Sequence, residues 1–159
     1  MVNVRHAGWL GALRLYLAAV AAGNLVWEFA QLPLYTIWRD GTAGRIAFAG
    51  LHCTAGDVLI AGASLTGALF VCGNARWPAE RYATVAAIAV IGGLAYAMLS
   101  EWLNTDIRGN WAYADSMPTL PIIGTGLSPL AQWLIVPMAA FWWTRRRISA
   151  ATNGKEGFA

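Results

Sequence analysis

The sequence predicts an all-α, polytopic membrane protein: a bundle of four transmembrane helices with a long, partly folded-back loop between helices 3 and 4. Three observations predict it. Of the 159 residues, 58% are hydrophobic and 12% charged, against about 25% charged in a soluble domain. The charges bunch between apolar runs, and a run of about 20 helical residues crosses a hydrocarbon core. Backbone groups in lipid find no water, so such runs must bond internally as helices.

The first span runs from about Gly8 to Gln31 and can continue past Pro33 to Trp38. Arg5 followed by "LYLAAVAAG" has the look of a cleaved leader, but Arg14 interrupts it and the apolar pattern continues to Phe29. The segment therefore reads as a retained helix. The second span covers about Leu51 to Gly73, and the third roughly Ala83 to Leu103. The short Arg76–Arg81 loop makes these two an antiparallel pair. The fourth span, roughly Pro129 to Trp143, is the shortest, with Ser128 as its N-cap and Pro129 as its first residue. Small residues at Ala19 with Gly23, and at Ala63 with Gly67, have the spacing that lets helix backbones approach. Residues 1–147 form one transmembrane domain. Residues 148–159 form a polar cytoplasmic tail, small in composition and expected to be disordered.

The connection from Asn104 to Pro129 holds Pro118, Pro121, Gly124 and Gly126, which forbid a long helix. It also holds Trp111, Tyr113, Met117, Leu120, Ile122 and Ile123, too apolar for a free linker. The expectation is a lid or shallow re-entrant segment over the outer mouth of the bundle.

Charge sets the orientation. Arg5, Arg14, Arg76, Arg81, Arg145, Arg146, Arg147 and Lys155 fall on one side, and Arg39, Arg45 and Arg108 on the other. This predicts a bacterial inner-membrane protein with both termini cytoplasmic. Trp9, Trp77, Trp142 and Trp143 mark the inner edge; Trp38, Trp102, Trp111 and Trp133 mark the outer one. The formal charge of +3 is thus read as orientation. No loop joins a basic run to stacking aromatics, so nucleic acid is not an expected partner. The expected partners are the bilayer, a small or lipophilic ligand, and a second copy or a larger membrane complex.

Polar residues gather in the outer half. Asn24, Glu28, Gln31 and Tyr35 make one stripe on the first helix. Cys53, Asp57 and Ser64 share a face of the second, with His52 about 100° away. Glu101, Asn104 and Arg108 form a stripe on the third, and Gln132 lies one turn into the fourth. Carboxylates inside a membrane bundle are costly and turn inward to partners. Three acids in low dielectric repel, which favours a held proton unless Arg108 or a metal compensates. The candidate catalytic residues are Glu28, His52, Asp57 and Glu101, suited to general acid–base chemistry. Candidate substrate contacts are Asn24, Gln31, Asn104, Arg108, Trp111, Tyr113 and Gln132. The same acids with His52 are candidate ligands for a divalent metal, the one cofactor in view. No HExxH pair, phosphate loop or haem CxxCH occurs, and His6 lies on the other side from His52. Cys53 and Cys72 are nineteen residues apart on one helix, roughly 28 Å, and cannot pair. Cys53 reads as a small buried residue, with a ligand or redox role as the alternative.

The sequence therefore points to acid–base chemistry, metal-assisted or not, on a small or lipophilic substrate. The alternatives are a proton-coupled transporter or ion-binding protein, and a non-catalytic subunit or assembly factor. An enzyme keeps a closed inner side, a transporter shows a polar path through it, and a subunit exposes a broad small-residue face.

Overall fold

The computed structural model describes the backbone of residues 3–156 and the side chains of residues 8–151. Arg5, His6 and Lys155, used above, have side chains outside that range. The described residues are helical, with no strand beyond two isolated backbone bridges. The first helix, α1, spans Asn3–Gln31. It ends where Pro33 enters: Leu32–Leu34 tightens into a 3-10 turn, since proline supplies no N–H and restricts the residue before it. The helix does not continue to Trp38. A separate turn, α2 (Ile37–Asp40), follows.

The next helix, α3, spans Ala43–Cys72, eight residues earlier at its start than the apolar run suggests. Thr42 sets that start, its hydroxyl accepting from the Arg45 N–H at 3.4 Å. Asp57 therefore sits mid-helix and caps nothing. Helix α4 spans Tyr82–Trp102 and passes into a wider π turn at Leu103–Ile107. Side chains have taken the carbonyls there. Asn104 Nδ2 donates to the Ser100 carbonyl at 2.8 Å, and the Thr105 hydroxyl to the Glu101 carbonyl at 2.8 Å.

The last helix, α5, spans Leu127–Glu156. It begins before Ser128, which is thus inside the first turn rather than at the cap. It also runs through most of the segment expected to be a disordered tail. Pro137 lies within it, tolerated where neighbouring helices compensate the lost bond.

α1 packs on α3 and α5, and α4 packs on the same two, so these helices form a ring. Tyr16, Val20, Leu65, Val85 and Phe141 fill its interior at the end carrying Arg76, Arg81 and Arg145–Arg147. Tyr16 and Phe141 stack at 4.2 Å. Close approach occurs at Gly23 and Gly93. A Cβ on Gly23 would lie 2.8 Å from Val136, and one on Gly93 would lie 2.6 Å from Trp133. The Ala63–Gly67 pair faces outward, with nothing near Gly67.

The outward faces are apolar. Phe70 is 88% and Leu59 75% exposed. Three helical segments are long and apolar enough to cross a membrane: Gly8–Leu34, Ala43–Cys72 and Tyr82–Ile107. Trp9, Trp38, Trp102 and Trp142 are exposed, while Trp77 and Trp133 are buried. Those two are packing residues: Trp77 stacks on Tyr82 and Trp133 fills the space over Gly93.

The connection after α4 is ordered by backbone pairing. Thr36 N–H donates to the Ala112 carbonyl at 3.0 Å, and Ala114 N–H to the Leu34 carbonyl at 2.9 Å. Leu120 N–H donates to the Thr125 carbonyl at 2.9 Å, and Gly124 turns with φ of 65°. That left-handed angle suits a residue without Cβ.

Candidate functional site

The C-terminal end of α1, the first half of α3, the end of α4 and the start of α5 meet at one end of the ring. A cavity of about 640 Å³ opens there, within the range of small-molecule sites. Glu28, His52, Asp57 and Glu101 all line it, together with Trp111 and Gln132. Its apolar wall includes Leu32, Ile37, Phe48, Ile60, Tyr96 and Trp133.

Gln132 is the centre of the polar wall and is 1% exposed. Its Nε2 donates to Asn24 Oδ1 at 3.1 Å, Glu28 Oε1 at 2.8 Å and Asp57 Oδ2 at 3.0 Å. Gln31 Nε2 donates to the same Glu28 oxygen at 3.0 Å and to Gln132 Oε1 at 2.9 Å. Ser128 Oγ donates to Gln31 Oε1 at 2.8 Å, and Trp27 Nε1 to Ser128 Oγ at 3.2 Å. One continuous network thus joins α1, α3 and α5. Glu28 and Asp57 also face each other within hydrogen-bonding contact. Asn24, Glu28 and Gln31 are buried because the α1 stripe turns inward, and Tyr35 is buried with them.

Glu101 stands on the opposite wall. The Tyr113 hydroxyl donates to its Oε2, and Gly126 N–H donates to that hydroxyl at 3.0 Å. The buried Trp111 indole N–H is set against the same Glu101 carboxyl. His52 is exposed at the rim and stacks on Phe48 at 5.3 Å.

Of the expected substrate contacts, Trp111 and Gln132 line the cavity, while Asn24, Gln31, Asn104, Arg108 and Tyr113 do not. The π turn breaks the α-helical period after Trp102, so the Glu101–Asn104–Arg108 stripe dissolves. Arg108 is exposed and outside the cavity. Asn104 spends its amide on Ser100 and accepts from Asn110 Nδ2 at 2.7 Å. Asn24 and Gln31 brace the wall from behind without lining it. Among the described residues no ion pair involves Glu28, Asp57 or Glu101, so Arg108 does not compensate them. Nor do three His, Cys, Asp or Glu side chains come together as a metal would need. The set Glu28, His52, Asp57 and Glu101 is therefore not a formed ligand set, because Glu101 and His52 stand apart from the Glu28–Asp57 pair.

Cys53 is a free, half-buried thiol in the cavity wall. Cys72, the other free cysteine, ends the same helix nineteen residues away, too far to pair with it. Sequence reasoning left out Arg45, Phe48, Tyr96, Asn110 and Trp133 as cavity residues. Arg45 and Phe48 were missed because the helix start was placed too late. Tyr96 and Trp133 look like any aromatic in an apolar run. Comparison of the chain with protein-family models, with curated proteins and with solved structures finds no match.

Proposed function

We propose that this chain is a four-span integral membrane protein that performs acid–base chemistry on a small, lipophilic substrate held in the cavity. The observation that carries the reading is the convergence of Glu28, Asp57 and Glu101 on one largely apolar cavity, with no ion pair to any of them among the described residues. Gln132 has two amide protons and three acceptors around it. A proton lodged between Glu28 and Asp57 completes that hydrogen-bond count, and it is a proton available for transfer. Glu101, oriented by Tyr113, is placed to act on the other side of a bound molecule, and His52 at the rim links the cavity to water.

α5 supplies the fourth span, since residues 127–144 carry no charge and cover about 27 Å as a helix. Arg146 and Arg147 lie over Trp142 and Trp143 at 4.2 and 5.2 Å, a pairing suited to a membrane–water boundary. The arginine-rich end then faces the cytoplasm of a bacterial cell and the cavity faces outward. The segment Asn104–Ser128 acts as its lid, held to the α1–α2 turn by the Thr36–Ala112 and Ala114–Leu34 bonds. The packed interior around Tyr16, Leu65 and Val85 favours an enzyme over a transporter, because it closes the polar cavity from the arginine-rich end.

The test is amide replacement. Glu28→Gln, Asp57→Asn and Glu101→Gln keep size and some hydrogen bonding but cannot exchange the proton. Introduced into a strain lacking the gene, each is expected to cut activity about 100-fold or more while melting normally in detergent. Three variants that melt normally and fully complement would reject proton transfer and leave a structural or assembly component.

A further inference from the structure

The connection after α4 holds a second feature, away from the acids. Between Pro118 and Leu127 the chain doubles back as a tight hairpin. Thr119 bridges to Gly126, and Leu127 N–H donates to the Pro118 carbonyl at 2.8 Å. Leu120 N–H donates to the Thr125 carbonyl, and Gly124 N–H to the Leu120 carbonyl, both at 2.9 Å. This pairing holds two isoleucines out at the tip. Ile122 is 96% exposed, and Ile123 beside it is exposed as well. Contiguous apolar surface of this kind marks a contact with lipid or with protein.

Position favours lipid. The hairpin lies against α4, with a groove of about 600 Å³ between them. Met98, Leu99 and Trp102 form the helix wall, and Ile122, Ile123 and Thr125 the hairpin wall. At about 100° per residue this wall of α4 is opposite the Ala97–Glu101 face that lines the acid cavity. Leu99 and Trp102 are exposed, and the same face continues down α4 to Ile91, which is 65% exposed. All of it belongs to the Tyr82–Ile107 segment, long and apolar enough to cross a membrane. On the four-span reading, the groove extends the surface that a bilayer covers.

Depth points the same way. About 20 residues from Tyr82 fill a hydrocarbon core and end at Trp102, whose indole suits the headgroup boundary. Leu99 then lies about 5 Å and Met98 about 6 Å inside that level. Ile122 and Ile123 share the groove with these two, so the hairpin tip reaches below the boundary. Asp106, at the groove's outer end, lies a turn beyond Trp102, among headgroups.

Charge and backbone agree with the dip. No charged residue occurs between Asp115 and Arg145, so the charge-free run of α5 begins before the hairpin. Backbone entering the chain region must have its polar groups satisfied. Leu120, Gly124 and Leu127 N–H are paired within the hairpin, and Gly126 N–H donates to the Tyr113 hydroxyl at 3.0 Å. Pro118 and Pro121 have no N–H to satisfy. The dip is shallow, which keeps the remaining groups within reach of headgroup water.

We infer that the Pro118–Leu127 hairpin is a lipid-contact element. Its Ile122–Ile123 tip dips into the outer leaflet beside α4, and the groove behind it holds the acyl chain of a bilayer lipid. The occupant is a chain because Met98, Leu99, Ile122 and Ile123 are the walls below Trp102. The inference rests on the four-span reading and is independent of the acid–base chemistry. The same hairpin carries Gly126, whose N–H holds the Tyr113 hydroxyl that donates to Glu101. The leaflet therefore anchors the lid over the acid cavity.

The experiment uses the full chain in phosphatidylcholine vesicles. Spin labels are placed singly at Ile122, Ile91 and Asp115 in a chain lacking Cys53 and Cys72. Ile91 reports lipid and Asp115 reports water. The Ile122 label is expected to collide at least twofold more often with oxygen than with a water-soluble Ni(II) chelate, as at Ile91. The preference should reverse at Asp115. A second measurement requires no variant to fold. A phosphatidylcholine with a diazirine in its acyl chain should label Ile122 and Ile123 of the wild type, together with Leu99 across the groove. An Ile122 label that meets the chelate as freely as the Asp115 label would overturn the inference. So would a wild-type hairpin left unlabelled while Ile91 and Phe70 are labelled. An Ile122 label shielded from both oxygen and chelate would replace lipid with protein as the cover, and spin–spin coupling between copies would identify that protein as a second copy of this chain. Chelate access at Ile91 would sink the four-span reading and this inference with it, whereas lipid at Ile91 with water at Ile122 removes the hairpin contact alone.

Discussion

Gln132 has two amide protons and lies within 3.1 Å of three side-chain oxygens. That crowding makes it the most consequential single residue of the site. Gln132→Leu keeps the bulk but leaves Glu28, Asp57 and Asn24 without their shared donor. It also deprives Gln31 Nε2 of an acceptor. An unsatisfied buried polar group costs about 1–3 kcal/mol, so detergent melting should fall by a stability loss in that range. Adding Asp57→Asn should recover part of it, since an amide removes a charge that Gln132 no longer serves; a double variant less stable than Gln132→Leu would contradict this assignment. Tyr113 gives a second test. Burial first, and then its hydrogen bond to Glu101, push the phenol above its ordinary value of 10.0. A raised folded value means that the stability it adds is complete below the unfolded value and fades as pH rises toward the folded one. The melting advantage of wild type over Tyr113→Phe should therefore be constant up to about pH 9 and shrink above about pH 10. An advantage that instead shrinks between pH 5 and 8 would implicate a different group.

Helix approach decides the element scale. At Gly93 a methyl group would press on the Trp133 ring at 2.6 Å, and at Gly23 on Val136 at 2.8 Å. Gly93→Ala has to move Trp133, a cavity wall residue that also reaches Asp57. Overpacking costs about 1–3 kcal/mol, and ligand binding should weaken with stability at this position. Gly67→Ala meets nothing and should be neutral or slightly stabilising, because alanine favours helix. Equal melting of all three glycine variants would contradict the packing described. The same elements show what the sequence made legible. The α1 stripe was readable because Asn24, Glu28 and Gln31 keep helical spacing with no breaker among them. The start of α3 was not, because Arg45 and Gly44 look like a loop until Thr42 is seen to cap them. Arg108 was misplaced for a reason local to α4. Periodicity carries no sign of the π turn that Asn104 and Thr105 create by bonding back to Ser100 and Glu101.

For the whole molecule, the ring has two unlike ends: Arg76, Arg81 and Arg145–Arg147 at one, the acid-lined cavity at the other. Three segments are long and apolar enough to cross a membrane. The proposed orientation puts the arginine-rich end in the cytoplasm, since arginines near span ends are retained on that side. α5 settles the topology: if it crosses, both termini share a side, and if it lies along the surface they need not. Single cysteines introduced in a chain lacking Cys53 and Cys72 separate these cases. Thr42 and Asp115, both exposed near the cavity end, should react with a membrane-impermeant maleimide from outside intact cells. Ala79 and Ser149, exposed at the arginine-rich end, should react only after the membrane is opened. Labelling of Ser149 from outside together with protection of Ala79 would mean that α5 does not cross as proposed. Labelling of Ala79 from outside together with protection of Thr42 would invert the molecule, so that the cavity would meet cytoplasmic rather than external water.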